Sequence, residues 1–162
     1  MEFRCPKCRK KLPSGVPPSA KKLRVGDVMT REPVTLGPED TLMRGLEVMR
    51  MNKIRRIPIM LGEKLIGLLT EGDLKRAEPS TLSESEEDFN RVMDDTPVSR
   101  IMIKDPVTVD RDALLVDAAR TLLSQKFGAL PVVADGRLVG ILTDVDLMRC
   151  LEGLLARGGR GG

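Results

Sequence analysis

Residues 25–76 lie on residues 98–149 without a gap, at an offset of 73, with 15 of the 52 aligned positions identical. A register held over fifty residues is more than one capping signal used twice. It requires one unit built in two copies. The period exceeds those of the common solenoids, so a pseudo-symmetric pair fits better than an array. Val34-Thr35 falls on Val107-Thr108, Pro58 on Pro131, Gly67 on Gly140, Thr70 on Thr143 and Asp73 on Asp146. A unit of about fifty residues buries too little apolar surface to stand alone, so the copies are expected to pack side by side.

Each copy reads β-α-β-β-α, an α/β (α+β) class. A short extended segment, PVTL or PVTV, comes first. Leu42, Leu46 and Met49, and in the second copy Leu115, Ala119 and Leu122, then recur at spacings that share one helix face. Pro38-Glu39-Asp40 and Asp110–Asp112 supply start signals. The strands IPIM and KLIGLL, or LPVV and RLVGIL, flank turns at Leu61-Gly62-Glu63 and Ala134-Asp135-Gly136 and read as hairpins. GLLTEGDL, Gly67–Leu74, and GILTDVDL, Gly140–Leu147, open the last helix of each copy.

The organisation expected is a basic leader over 1–22, a first motif over 23–77, a connector over 78–96, a second motif over 97–152 and a flexible Gly/Arg tail over 153–162. Glu78–Asp95 carries seven acids against one base, Arg91, and Phe89, Val92 and Met93 suggest a helical turn or two there. Arg4–Arg24 carries eight Lys/Arg and no acid. Lys11–Lys22 is Pro-rich as well as basic, the composition of a flexible leader.

The chain is 41% hydrophobic and 31% charged, the balance of a soluble globular protein. Met1–Lys11 lacks the apolar stretch of a signal peptide, and no apolar run approaches the roughly 20 residues that span a bilayer. A cytoplasmic protein with no membrane partner is the reading. There is no His, Trp or Tyr. His-based acid–base chemistry is therefore excluded, and no nucleophile–base arrangement or phosphate-cradling Gly loop is visible, so no enzyme is expected. With only three Phe, the stacking platform of single-strand binders is missing, and nucleic acid is not an expected partner. Met43, Met49 and Met51 fall within a helix and read as core filling.

Cys5-Pro-Lys-Cys8 can supply one side of a tetrahedral zinc, but a closed structural site takes four ligands. The same pair from a second chain would complete it. An incomplete ribbon and a redox pair remain open alternatives.

Thr70 and Thr143 are suitable N-caps with Asp73 and Asp146 at N3, close to a capping box with Asp in place of Glu. Capping is compatible with binding, because a helix start favours phosphate and a carboxylate can accept both ribose hydroxyls. Val34-Thr35 and Val107-Thr108 can be read simply as β-branched strand residues. Arg55 and Arg56 are either a solvated strand end or a phosphate fork. Copy two has Gly128 and Ala129 there, so two sites of different affinity are expected, with Lys53 and Lys126 at equivalent positions nearby.

VGDVMTREPVTL with SRIMIKDPVTV, IRRIPIM with GALPVV, and GLLTEGDL with GILTDVDL resemble the two motifs of a tandem CBS (cystathionine β-synthase) pair, of the stand-alone prokaryotic kind, over roughly Leu23–Leu151. The resemblance implies a pseudo-twofold disc with adenine nucleotide in clefts between the motifs, and discs that pair as homodimers. It implies a regulatory role without chemistry, exercised through a conformational change, a dimer interface or an effector protein. AMP, ADP or ATP is the implied ligand, with S-adenosylmethionine ranked behind them and no cofactor required. Asp73 and Asp146 would bind ribose, and Thr70 and Thr143 the phosphate side. Val34, Thr35, Val107 and Thr108 would wall the adenine and hydrogen-bond it through the main chain. Arg55, Arg56, Ile57 and Pro58, with Ala129, Leu130 and Pro131, complete the implied ligand set. The alternative is a zinc- or nucleic-acid-linked regulator that works through Cys5, Cys8 and the basic arm without sensing nucleotide.

Overall fold

The structure is a computed structural model that describes residues 22–78 and 85–158. Twelve regular elements follow one another among the described residues: β1 (Thr30–Arg31), α1 (Leu42–Asn52), β2 (Arg56–Leu61), β3 (Lys64–Thr70), α2 (Glu71–Ala77), α3 (Glu86–Asp95), β4 (Ile103–Lys104), β5 (Val109–Asp110), α4 (Leu115–Gln125), β6 (Ala129–Ala134), β7 (Arg137–Thr143) and α5 (Asp144–Gly158). The fold is mixed α/β, with two small sheets and five helices.

Both hairpins form as read from the turn residues. β2 and β3 pair antiparallel around Gly62, and β6 and β7 around Asp135-Gly136, where φ is positive at both positions, as a tight hairpin turn requires. Each carries one irregularity at the equivalent place, between Ile59 and Met60 and between Val132 and Val133. The repeat in sequence is thus a repeat in backbone.

α1 starts one residue beyond the Pro-Glu-Asp signal. The Asp40 carboxylate accepts the Gly37 N–H at 2.7 Å and closes a turn, which leaves Thr41 to cap the helix by accepting the Arg44 N–H. α4 follows Leu114, with no side-chain cap. Both helices end on a lysine in the left-handed region, Lys53 and Lys126, so that the chain turns sharply into β2 or β6.

The extended segment that opens each copy is only partly a strand. In copy two, β5 pairs parallel with β6; in copy one, Leu36 alone makes a parallel bridge to Ile59. Val34 and Thr35 precede that bridge.

The main departure from a simple two-unit picture is an exchange of arms. β1, ahead of the first hairpin, pairs with β7 of the second, and β4, ahead of the second, pairs with β3 of the first. The sheets are therefore β2-β3-β4 and β1-β7-β6-β5. The cores follow the same exchange. Val98 is fully buried with Leu42, Ile57, Ile59, Leu69 and Leu74, and Val25 is fully buried with Leu115, Leu130, Val132 and Leu142. Each valine stabilises the half that its sequence repeat does not name, by about 1.5–3 kcal/mol on burial.

The connector supplies a helix longer than its composition suggested. Ser85 caps α3 by accepting the Asp88 N–H. Met93 enters the first core fully buried, Phe89 packs against that core, and the acids stay outside.

Candidate functional site

β3 and β7 end where α2 and α5 begin, and these two junctions lie near one another because the sheets meet along β3 and β7. At each junction the capping box is complete. Thr70 Oγ1 accepts the Asp73 N–H at 3.2 Å, and Asp73 Oδ2 accepts the Thr70 N–H at 3.0 Å and its hydroxyl at 2.6 Å. Thr143 and Asp146 repeat the pattern at 3.2, 2.8 and 2.6 Å. Both carboxylates are buried, and one oxygen of each is committed to its cap.

The other oxygens differ. Asp73 Oδ1 accepts from Arg76, one turn on, whereas Asp146 Oδ1 accepts from Thr30 on the exchanged strand β1 at 3.3 Å. The repeat thus supplies two helix starts of one design with different second partners.

A cleft of about 310 Å³ opens where the first junction meets the second half. Its size lies at the lower end of ligand pockets. Arg55, Arg56 and Lys126 give it a cationic rim, and Thr70, Glu71 and Gly72 line its polar wall. Leu68, Ile103, Pro106, Val107, Phe127 and Ala129 make the apolar wall. Lys126 and Phe127 reach the cleft because the left-handed turn at Lys126 ends α4 beside it. An apolar slot with cations at one end suits a flat ring carrying an anionic group.

Of the residues expected to bind, Arg55, Arg56, Thr70, Val107 and Ala129 come together in this cleft. Thr108 follows Val107 and is exposed, and Val34 and Thr35 are exposed at the equivalent place in copy one. Asp73 stands behind Thr70 in the capping box, and Thr143 and Asp146 form the second junction. Ile57, Pro58, Leu130 and Pro131 are buried in the sheets, where contact with a ligand is restricted to the main chain. Leu68, Glu71, Gly72, Ile103, Pro106 and Phe127 were not singled out in the sequence. Phe127 carried a usable signal: one of only three aromatic residues, directly before GALPVV of the second copy.

Cys5 and Cys8 lie outside the described residues. Cys150, on α5, is a free, half-buried thiol. Among the described residues no three His, Cys, Asp or Glu stand together as a metal set, and no helix is long and apolar enough to cross a membrane.

Two pseudo-symmetric halves that exchange arms, with a cleft at their junction, define a tandem ligand-binding pair. The CBS domain profile matches residues 25–80 and 98–153, and the chain belongs to the CBS-domain family. Its fold is that of CBS-pair domains, which typically regulate rather than catalyse.

A Vibrio cholerae protein assigned to acetoin utilization has a similar structure, with a TM-score of 0.72 and 32% identity over 86% of this chain and 98% of its own. The CBS-pair protein CBSX2 of Arabidopsis thaliana, solved in complex with AMP, has a TM-score of 0.68 and 30% identity over 81% and 97%. In sequence, an uncharacterized 33.4 kDa protein from a ribosomal RNA operon of Thermofilum pendens is 33% identical over 128 residues, or 78% of this chain. The chain spans 43% of that relative's length.

Proposed function

We propose that the chain is a regulatory module that binds an adenine nucleotide, AMP, ADP or ATP, in the cleft between its two motifs. The observation that carries the reading is the cleft itself. Apolar Ile103, Pro106, Val107 and Phe127 stand opposite Thr70, with Arg55 and Lys126 at the rim. In this reading the adenine lies along the apolar wall, the ribose faces the Thr70–Asp73 junction, and the phosphates meet Arg55 and Lys126. AMP bound to CBSX2 supports the ligand class. S-adenosylmethionine, itself a sulfonium cation, ranks behind the nucleotides, because the rim presents it with the cations Arg55, Arg56 and Lys126.

The output is a change in how the two halves sit against each other, transmitted in the cytoplasm to a second copy in a homodimer or to an effector protein. The exchanged arms favour this. A ligand against Ile103 and Val107 touches the segment by which the second repeat enters the first sheet. Thermal unfolding with each of AMP, ADP, ATP and S-adenosylmethionine tests the reading. A true ligand stabilises the fold by about 2.7 kcal/mol at a hundredfold excess over its Kd. A melting curve unmoved by all four would remove the proposal. The variant Val107→Asp, at a half-exposed position, should retain its fold and lose the shift.

A further inference from the structure

The three cations that line the cleft are not equivalent. Among the described residues Arg56 is the one of the three that is ion-paired: it meets Asp144 of the other half, Nη1 to Oδ1 at 3.4 Å. Its side chain is only 18% exposed, and its guanidinium lies over Gly128, in the space that any Cβ at 128 would fill. The crossing therefore depends on glycine at that position. Asp144 begins α5 and is not itself part of the cleft lining. Its counterpart at the start of α2, Glu71, is held by Lys75 of its own helix at 3.1 Å. One turn beyond Asp144 the chain has Met148 in place of that lysine, which leaves the Asp144 charge to Arg56.

Resting on the nucleotide-binding reading, we propose that Asp144 is a specificity-determining residue that competes with the ligand's phosphate for Arg56. An anionic ligand takes Arg56 from Asp144, and an uncharged one leaves the pair in place. The pair is displaceable. Asp144 is 51% exposed, its contact at 3.4 Å is longer than a good charge-assisted hydrogen bond, and pairs of this kind are weak. A phosphate monoester carries about −1.5 to −2 charges near neutral pH and matches a guanidinium with two parallel hydrogen bonds. Arg56 already stands in the cleft lining, so the exchange asks only that its guanidinium turn from one oxygen acceptor to another. AMP and adenosine then have different consequences in one cleft: AMP removes an ionic tie between the two halves, and adenosine preserves it.

Equilibrium dialysis with AMP and with adenosine, on the wild type, Asp144→Asn, Arg56→Gln and the double variant, tests this. Asp144→Asn should bind AMP about three- to fivefold more tightly than the wild type, the scale of a weak ion pair, and adenosine equally well. Arg56→Gln should weaken AMP, and adding Asp144→Asn to it should then change AMP affinity by less than about twofold, because sites that act through one contact are not additive. The same gain with and without Arg56 would mean that Asp144 merely repels phosphate, and would overturn the proposal. Asp144→Asn changes a half-exposed side chain and keeps the oxygen that accepts the Val145 N–H, so it decides the matter even if Arg56→Gln does not fold. An AMP affinity unchanged in Asp144→Asn, or a gain shared by adenosine, would overturn the proposal while leaving the nucleotide reading intact. A wild type that binds neither probe would remove that reading and this inference with it.

Discussion

Gly140 lies opposite Arg31, and a side chain on Gly140 would stand 2.9 Å from the carbonyl oxygen of Thr30. The glycine that begins GILTDVDL is there for neither phosphate nor turn: it lets the exchanged strand β1 lie close against β7. Gly67 does the same for β4, with the Ile103 carbonyl at 3.2 Å from the equivalent point. Gly140→Ala should cost about 1–3 kcal/mol, as overpacking against backbone does. Gly67→Ala should cost less. Urea unfolding midpoints of the two variants check the order, and equal midpoints would count against the account.

Val25 and Val98 predict where damage appears. Each is fully buried in the half opposite its own repeat. Val25→Ala should lose about 2 kcal/mol. Hydrogen exchange should quicken in α4, β6 and β7 before it does in α1, β2 and β3. Val98→Ala should give the reverse map. Faster exchange confined to the mutated valine's own repeat would contradict the crossing.

This exchange also marks where the sequence stopped being informative. The repeat register, both hairpins and both capping boxes could be read because their causes are local: helix spacing, turn glycines, and a Thr three residues before an Asp. Val25 and Val98, by contrast, occupy the same aligned position, and alignment cannot say which core each enters. The cleft was legible through its charged members. Arg55 and Arg56 stood out against Gly128-Ala129, but the ion pair of Arg56 with Asp144 of the other half shows only in three dimensions. Ile103 and Pro106 were read only as part of the second motif, because their place in the cleft comes from the arm they belong to.

The capping boxes set a condition on any test of ribose binding. Asp73 accepts three hydrogen bonds, from the Thr70 N–H, the Thr70 hydroxyl and Arg76. Asp73→Ala should therefore lower stability by about 1–2 kcal/mol without any ligand present, as loss of a cap does. Denaturant titration of the unliganded variant measures this. If its midpoint matched that of the wild type, the carboxylate would not be fixed by the cap.

Lys126 separates phosphate recognition from stability more cleanly. Its side chain is exposed on the cleft rim, and its left-handed backbone is set by the end of α4 rather than by its charge. Lys126→Glu keeps a residue of similar length and replaces attraction by repulsion at one end of the cleft. A charge reversed near a partly screened phosphate changes binding by about 1–2 kcal/mol. AMP affinity should fall by about tenfold, ATP affinity by more, and adenosine affinity should hold, with the melting temperature of the free protein unchanged. Calorimetric titration with the three ligands reads this directly. If adenosine weakened in parallel with AMP, Lys126 would be shaping the cleft rather than meeting the phosphate, and the ligand's orientation would have to be reversed.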